Sequence, residues 1–523
     1  MNVKYLINRT IKEHPNDVAL VYRNIRRTFS ELNTRVNRFA NAILNLGIKK
    51  GDRVGMLLRN CSEFIEIDFA LSKTGIVRVP LNSRLTGVDH AYMLNDSGSN
   101  MLIFGEEFAE IVQAIRPNLK TVKAFIRVSQ GLSKKNVLDA LDYENLIMNS
   151  HPDEPLGEIY EEDLHTLFYT SGTTGKPKGA MLTQKSWANV TINLLLDYGP
   201  VTKDDVILNT QPLSHGAGFF VLPYFIKGAT NVLIPEFKPP VVFETIEREK
   251  VTVLKLVPSM LYQLVDAPEK TEYDTSSLHS IIYGGSPIAV PRLIEAIQFF
   301  GKKLIQLYGQ AEAPMCISTL PKEDHIVGGA EEIVRRLSSA GKPCVNVEVR
   351  IVDEEGRDVK ADEVGEVVVR GYHLMEGYWN LPEATAEVLK DGWVHTGDLG
   401  YFDSGGYIFL VDRKRDVIIS GAFNIYPKEI EDVIVTHPKV KEVTVIGVPD
   451  EKWGEAVKAV VVPKEGVHVT EQEIIDHCRD HMASFKKPKS VDFIRELPRN
   501  PYGKVSKAVL REPYWKGFDR RIH

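Results

Sequence analysis

The stretch Tyr169-Thr170-Ser171-Gly172-Thr173-Thr174-Gly175-Lys176-Pro177-Lys178-Gly179-Ala180 decides how this chain is read. An apolar pair, Leu167-Phe168, leads into it, and another, Met181-Leu182, leads out. Between them, glycines, hydroxyls and two lysines share one loop. Glycine lets a backbone approach an anion closely and turn its N–H groups inward. Hydroxyls add donors, and lysines add charge. Such a loop between two strands can cradle a polyphosphate, and the bland alternative is a polar surface hairpin. It is not a Walker A loop, because no G-x-x-x-x-G-K-[ST] run occurs in the chain.

Composition narrows the classes. A chain of 523 residues exceeds one ordinary core, so at least two domains are expected. With 43% hydrophobic and 26% charged residues it is a folding, water-soluble composition and not a disordered one. The net charge of −6, with no dominant Lys/Arg block, weighs against a nucleic-acid partner. Cys61, Cys316, Cys344 and Cys478 form no C-x-x-C pair, which suits neither a zinc site nor a disulfide framework and fits a cytoplasmic protein. Met1–Pro15 holds no apolar stretch of signal-peptide type, and no apolar run is long enough to span a bilayer. Membrane contact is therefore expected to be peripheral at most, and a homodimer stays open.

Upstream of the loop, Thr28-Phe29-Ser30-Glu31 reads as a capping box. Leu32, Val36, Phe39, Ala40, Ile43 and Leu44 follow at helical spacing, and Gly47 stands where the helix should end. Strand patterns at Asp52–Leu58 and Ile76–Leu81 alternate with helical ones at Glu63–Ser72 and His90–Asp96. That alternation predicts an α/β fold with largely parallel sheets. Residues 129–162 are expected to be an irregular polar surface segment.

Downstream, apolar runs repeatedly end in small-residue turns. One delivers Pro212-Leu213-Ser214-His215-Gly216-Ala217-Gly218-Phe219; a second delivers Tyr283-Gly284-Gly285-Ser286-Pro287; a third delivers Tyr308-Gly309-Gln310-Ala311-Glu312. Open α/β sheets bind ligands at such strand ends. His215 fits either a packed histidine or the wall of an acid pocket. Glycine turns beside tyrosines suit a flat base. Glu312 is either a surface carboxylate or a Mg²⁺ ligand sharing the ion with phosphate oxygens. Val347–Val352, Gly365–Arg370 and Tyr407–Val411 predict a small antiparallel β subdomain. Asp398, read on a glycine-flanked turn in Trp393-Val394-His395-Thr396-Gly397-Asp398, can accept hydrogen bonds from vicinal hydroxyls. Asp412-Arg413-Lys414-Arg415-Asp416 reads as a solvated turn or a domain linker, and a small α+β region comes after it.

In order along the chain, Tyr169–Gly179, Gly284–Pro287, Tyr308–Glu312, Trp393–Asp398, Asp412–Asp416 and Pro498–Lys504 resemble the motifs of the adenylate-forming superfamily. Val79-Pro80-Leu81-Asn82-Ser83-Arg84-Leu85 and Asp416–Glu431 are most similar to its fatty- and aromatic-acid CoA ligase branch. The resemblance implies a large N-terminal domain, residues 1–412, of α/β sheets with a small β subdomain. It further implies a hinge at 413–416 and a small mobile α+β domain at 417–523. The implied reaction joins a small carboxylic acid to ATP as an acyl-adenylate, then transfers the acyl group to CoA. A medium- or long-chain fatty acid is the expected substrate. Aryl or alicyclic acids, and transfer to a carrier protein, are the alternatives.

The same resemblance assigns roles. Thr170, Ser171, Gly172, Thr173, Thr174, Gly175, Lys176 and Lys178 would hold ATP phosphates, with Thr170 and Glu312 placing Mg²⁺. Gly285, Ser286, Pro287, Gln306, Leu307, Tyr308, Gly309 and Ala311 would surround AMP, while Asp398 and Arg413 take the ribose. Lys504 would bridge the reacting carboxylate and the α-phosphate. His215, Phe219, Tyr283, Gly284 and Gly309 would line the acid pocket. Arg415 matches the hinge position, and Ser420 and Gly421 would face CoA. Ala311 departs from the family's usual threonine, whose hydroxyl contacts the α-phosphate, and Ala422 replaces a common second glycine.

Overall fold

The computed structural model describes residues 2–129, 139–170, 176–421, 423–499 and 505–516. Among them the strands form four sheets. A nine-stranded sheet has Val18–Tyr22, Thr230–Leu233, Val206–Asn209, Val253–Leu256, Ser280–Gly284 and Leu304–Tyr308 in that spatial order, all parallel. Short antiparallel strands close both of its edges. Parallel pairing sends all these C-terminal strand ends to one edge, so the turns after Asn209, Gly284 and Tyr308 gather there.

A seven-stranded sheet carries the phosphate-type loop. Its strands from Arg53–Leu57 to Leu141–Asp142 are parallel, while Leu164–Thr170 and Lys178–Thr183 pair as an antiparallel hairpin at one edge. Thr170 lies opposite Lys178, so the loop is the tip of that hairpin. The predicted helix starts are present. Thr28 caps Phe29–Asn45 in a full capping box, and Thr183 caps Gln184–Asp197. The face between the two large sheets holds the largest core, including Phe39, Phe168, Phe219, Phe220 and Phe225.

A five-stranded antiparallel sheet built on Glu348–Val352, Gly365–Arg370, Trp393–Phe402 and Ile408–Arg413 is the expected β subdomain. The C-terminal part has its own five-stranded sheet and its own core, with Ile418, Ile430, Val445, Ala459 and Cys478 at its centre. No helix among the described residues is long and apolar enough to cross a membrane.

Two expectations need correction. Residues 129–162 are not simply an irregular surface stretch, because Leu141–Asp142 extends the sheet and Tyr143–Met148 is a helix. Tyr143 is fully buried and donates its hydroxyl to Glu66 at 2.8 Å. Asp398 stands within the strand Trp393–Phe402 and not on a turn, directly opposite Arg413.

Candidate active site

The hairpin and the nine-stranded sheet meet at the gathered strand ends. Phe168, two residues before the loop begins, stacks on His215 with ring centroids 5.5 Å apart. Asn60 ties the same region together, donating to Gln211 O at 2.8 Å and accepting from Leu213 N at 2.9 Å. The strand that leads into the loop and the His215 turn are therefore in contact.

Glu312 is placed beside the outgoing hairpin strand. Tyr378 donates to Glu312 Oε1 at 2.5 Å, and its own backbone pairs with Ala180. Trp379 N and Glu376 N donate to Gly179 O and Met181 O, fastening this segment along the strand. Lys178 Nζ lies 5.1 Å from the centre of the Tyr378 ring. One carboxylate and one ammonium thus both stand against a single phenol. Burial and the neighbouring Glu312 push the Tyr378 phenol well up, so it stays a proton donor.

Asp398 is 9% exposed and accepts from Tyr308 Oη at 2.6 Å. Arg413 Nε lies 3.3 Å from its other oxygen. Burial, then Asp398, pushes the Tyr308 phenol well up. Thr396 Oγ1 accepts from Asp398 N at 3.1 Å, fixing the backbone. Tyr308 ends the strand Leu304–Tyr308, and Gln306 lies on the same strand. Gly285, Ser286 and Pro287 form an exposed turn directly after Ser280–Gly284. Gly284 is required there, since a Cβ would stand 2.3 Å from Leu307 O.

The aromatic wall continues inward. Phe168 packs edge-on to Phe219, and Phe219 stacks on Trp187 at 4.3 Å. The buried Arg78 guanidinium lies 3.8 Å over Trp187 and pairs with Asp68. Tyr283 is fully buried, with its ring in the second core cluster and its hydroxyl between Gln306 and His325. Leu307 is buried, whereas Gly309 and Ala311 are half-buried in the following turn.

The charged segment 412–416 is closely tied to the C-terminal part of the chain. Asp416 accepts from Arg511 at 2.8 Å, and Asp412 accepts from Lys428 N at 3.0 Å. Lys507 pairs with Glu431 at 2.9 Å. Arg415 is half-exposed with only a loose 4.0 Å approach to Asp416. Ser420 pairs with Gly454, and Gly421 donates to Trp453 O at 2.7 Å. Ser171 to Gly175, Ala422 and Lys504 lie outside the described residues, while Lys176 Nζ is 5.6 Å from the Tyr92 ring centre.

Sequence reasoning missed Tyr378, which nothing but its three-dimensional contact with Glu312 marks out. It also missed the Tyr308–Asp398 bond, whose partners are 90 positions apart.

A carboxylate pinned by Tyr378 beside the outgoing hairpin strand and an aspartate shared by Tyr308 and Arg413 thus stand at the gathered strand ends. The chain belongs to the AMP-binding enzyme family, whose profile matches residues 7–379, and the AMP-binding enzyme C-terminal domain matches residues 429–504. It is 37% identical over 533 residues to the medium/long-chain-fatty-acid–CoA ligase FadD8 of Mycobacterium tuberculosis, covering 99% of this chain and 91% of that one. It is also 37% identical over 508 residues to feruloyl-CoA synthase of an Amycolatopsis species, covering 97% and 98%. Among solved structures, the amide bond synthetase McbA of Marinactinospora thermotolerans superposes with a TM-score of 0.88 at 30% identity, over 98% of this chain and 99% of that one. A fatty acyl CoA synthetase of Mycobacterium tuberculosis gives 0.78 at 33% identity, over 99% of each. Within the family, the chain falls in the acid–thiol ligase branch that forms acyl-CoA and AMP.

Proposed function

We propose that this enzyme activates a carboxylic acid with ATP, holds the acyl-adenylate, and passes the acyl group to CoA. The observation that carries the reading is the convergence of Glu312, Tyr378 and Lys178 beside the hairpin tip. Negative charge spreads over phosphate oxygens during such a transfer, so catalysis rests mainly on positioning and electrostatics. Lys176 and Lys178 face the departing pyrophosphate. Asp398 takes the ribose hydroxyls, with Tyr308 and Arg413 fixing its orientation. Lys504 bridges the carboxylate and the α-phosphate.

Among the described residues no cluster of three or more ligating side chains occurs. A single carboxylate with a hydroxyl suits Mg²⁺ whose remaining ligands are phosphate oxygens and water. Glu312 and Thr170 would hold it, and it would offset charge on the triphosphate. We place the hinge at 413–416, between bodies at 1–412 and 417–523. Rotation about it would exchange Lys504 for Ser420 and Gly421 at the site, a hinge-type closure. The four cysteines are free and buried, in keeping with a cytoplasmic enzyme, and the acids are small molecules. Self-association as a homodimer is compatible with this reading.

The acid is a medium- or long-chain fatty acid in the first reading, on the strength of the FadD8 likeness. The aromatic series His215, Phe168, Phe219 and Trp187 favours an aryl acid as the second. Pyrophosphate release across a panel of acids, with and without CoA, tests the proposal. Acid-dependent release, with acyl-CoA formed only when CoA is added, is expected. Release without thioester, or thioester formation only on a carrier protein, would overturn the CoA step.

A further inference from the structure

Lys255 stands on the strand Val253–Leu256, between Leu254 and Leu256. Those two leucines pack into the second core cluster, whereas Val253 belongs to the large core on the other face. Strand alternation sends the Lys255 side chain with Val253, toward the space between the sheets. There the residue is 3% exposed. Its Nζ donates to Gln211 Oε1 at 2.9 Å, and it lies 5.8 Å from the centre of the Phe220 ring. Among the described residues no carboxylate forms an ion pair with it.

The neighbourhood adjoins the turns that carry His215 and Gly309, two residues expected to line the acid pocket. A Cβ on Gly216 would stand 3.9 Å from Lys255 Nζ and 3.6 Å from the Met315 methyl. A Cβ on Gly309 would stand 2.6 Å from Met315 N. Gly216 and Gly309 thus approach the same methionine from two turns, and Gly216 also approaches the ammonium. Gln211 Nε2 and Ser214 Oγ are also buried there without a partner.

An ammonium with one neutral acceptor is an unusual thing to bury, because its lost hydration goes largely unreplaced. Lys73 shows how this chain treats a structural lysine. It is equally buried, yet Asn33, Asn37 and Glu154 accept from it at 2.8, 2.8 and 2.7 Å. Arg78, also buried, has Asp68. Lys255 alone of these three lacks a carboxylate. Burial without a countercharge also holds its pKa down to about 7. A ligand oxygen arriving at Nζ would supply what the fold withholds.

We propose that the acid used by this enzyme carries a second, electron-rich oxygen remote from its reacting carboxylate, and that Lys255, oriented by Gln211, receives it. Lys255 is then a specificity-determining residue. The inference rests on the carboxylate–CoA ligase reading. Two sources share this chemistry: the far carboxylate of a dicarboxylic acid and the phenolic oxygen of a hydroxyaryl acid.

The test measures kcat/KM for pyrophosphate release with two matched pairs: suberic against octanoic acid, and 4-hydroxycinnamic against cinnamic acid. Wild-type enzyme is compared with Lys255→Met, which keeps side-chain length and removes the donors. The wild type should favour the oxygen-bearing member of one pair on the order of ten-fold or more. Lys255→Met should reverse that preference and take the plain acid at least as fast as the wild type does. A folded, active variant with inverted selectivity is a result that a merely structural lysine cannot give. The responding pair tells carboxylate from phenol. Wild-type preference for both plain acids, or equal loss on all four in the variant, overturns the inference and leaves the ligase reading intact. No release with any acid overturns that reading and the inference with it.

Discussion

Replacing Lys255 by methionine should stabilise the enzyme near neutral pH and lose that advantage in alkaline solution. In the folded protein, burial lowers this lysine from 10.5 to about 7. Between those values the unfolded chain binds a proton that the folded chain does not. Wild-type stability therefore rises with pH through this window, and the penalty is complete below it. At about 1.4 kcal/mol per pKa unit, the penalty is on the order of 4–5 kcal/mol at pH 6.5 and about 1–2 kcal/mol at pH 9.5. Methionine removes it at both. The substitution also strands Gln211 Oε1, buried and now without its donor, at a cost of about 1–3 kcal/mol that does not vary with pH. The net gain is then about 1–4 kcal/mol at pH 6.5, and between a gain of about 1 and a loss of about 2 kcal/mol at pH 9.5.

Urea unfolding read by tryptophan fluorescence measures this, because Trp187 is buried in the same large core. The informative quantity is the change in the mutant–wild-type difference between the two pH values, about 3 kcal/mol, in which the Gln211 cost cancels. No charged neighbour contributes to the lysine's shift, so salt should leave it nearly untouched. An identical mutant–wild-type difference at pH 6.5 and 9.5 would mean that Lys255 keeps its ordinary pKa. Burial would then cost the ammonium nothing.

Tyr378→Phe removes the donor to Glu312, and a hydrogen bond to a charged group of about 1.5–3 kcal/mol predicts a loss of roughly 10- to 100-fold in adenylation. The Mg²⁺ concentration for half-maximal rate should rise as well, and an unchanged Mg²⁺ dependence would count against the placing of Glu312. Ala311→Thr restores a hydroxyl at the turn after Tyr308, and should tighten AMP binding by up to about 1.5–3 kcal/mol in calorimetry; equal affinity would remove Ala311 from the nucleotide site. Arg415→Pro should slow thioester formation more than adenylation, and equal loss in separate half-reaction assays would refute the hinge at that residue.

Local signals in the sequence are legible where one element can carry them. The capping box at Thr28 and the strand-to-turn runs at Ser280–Gly284 and Leu304–Tyr308 depend on neighbours within a few positions. Residues 141–148 escape such a reading because a two-residue strand and a six-residue helix are too short to display a period. Tyr143 is held in place by Glu66, 77 positions away and bonded in turn by Arg35. At Asp398 the glycine signal is correct locally, since Gly392 and Gly397 both have positive φ. Pairing with Ile408–Arg413 nevertheless carries the strand through, and that pairing puts Arg413 opposite Asp398. Tertiary context overrides the turn and, in doing so, creates the contact.

Lys255 shows the same limit at the site. Val253, Lys255 and Val257 alternate with Leu254 and Leu256, a pattern that fits an exposed polar face as well as a covered one. The helix Gly218–Phe225, arriving from the His215 turn, brings the centre of the Phe220 ring to 5.8 Å from the ammonium, and the face is buried. The motifs by which the chain resembles its family are the ones assigned to ATP. The acid has no such shared signature. Its recognition falls to positions like Lys255 and Gln211, whose residue types look ordinary in sequence and become informative only once burial leaves their polar atoms unmatched.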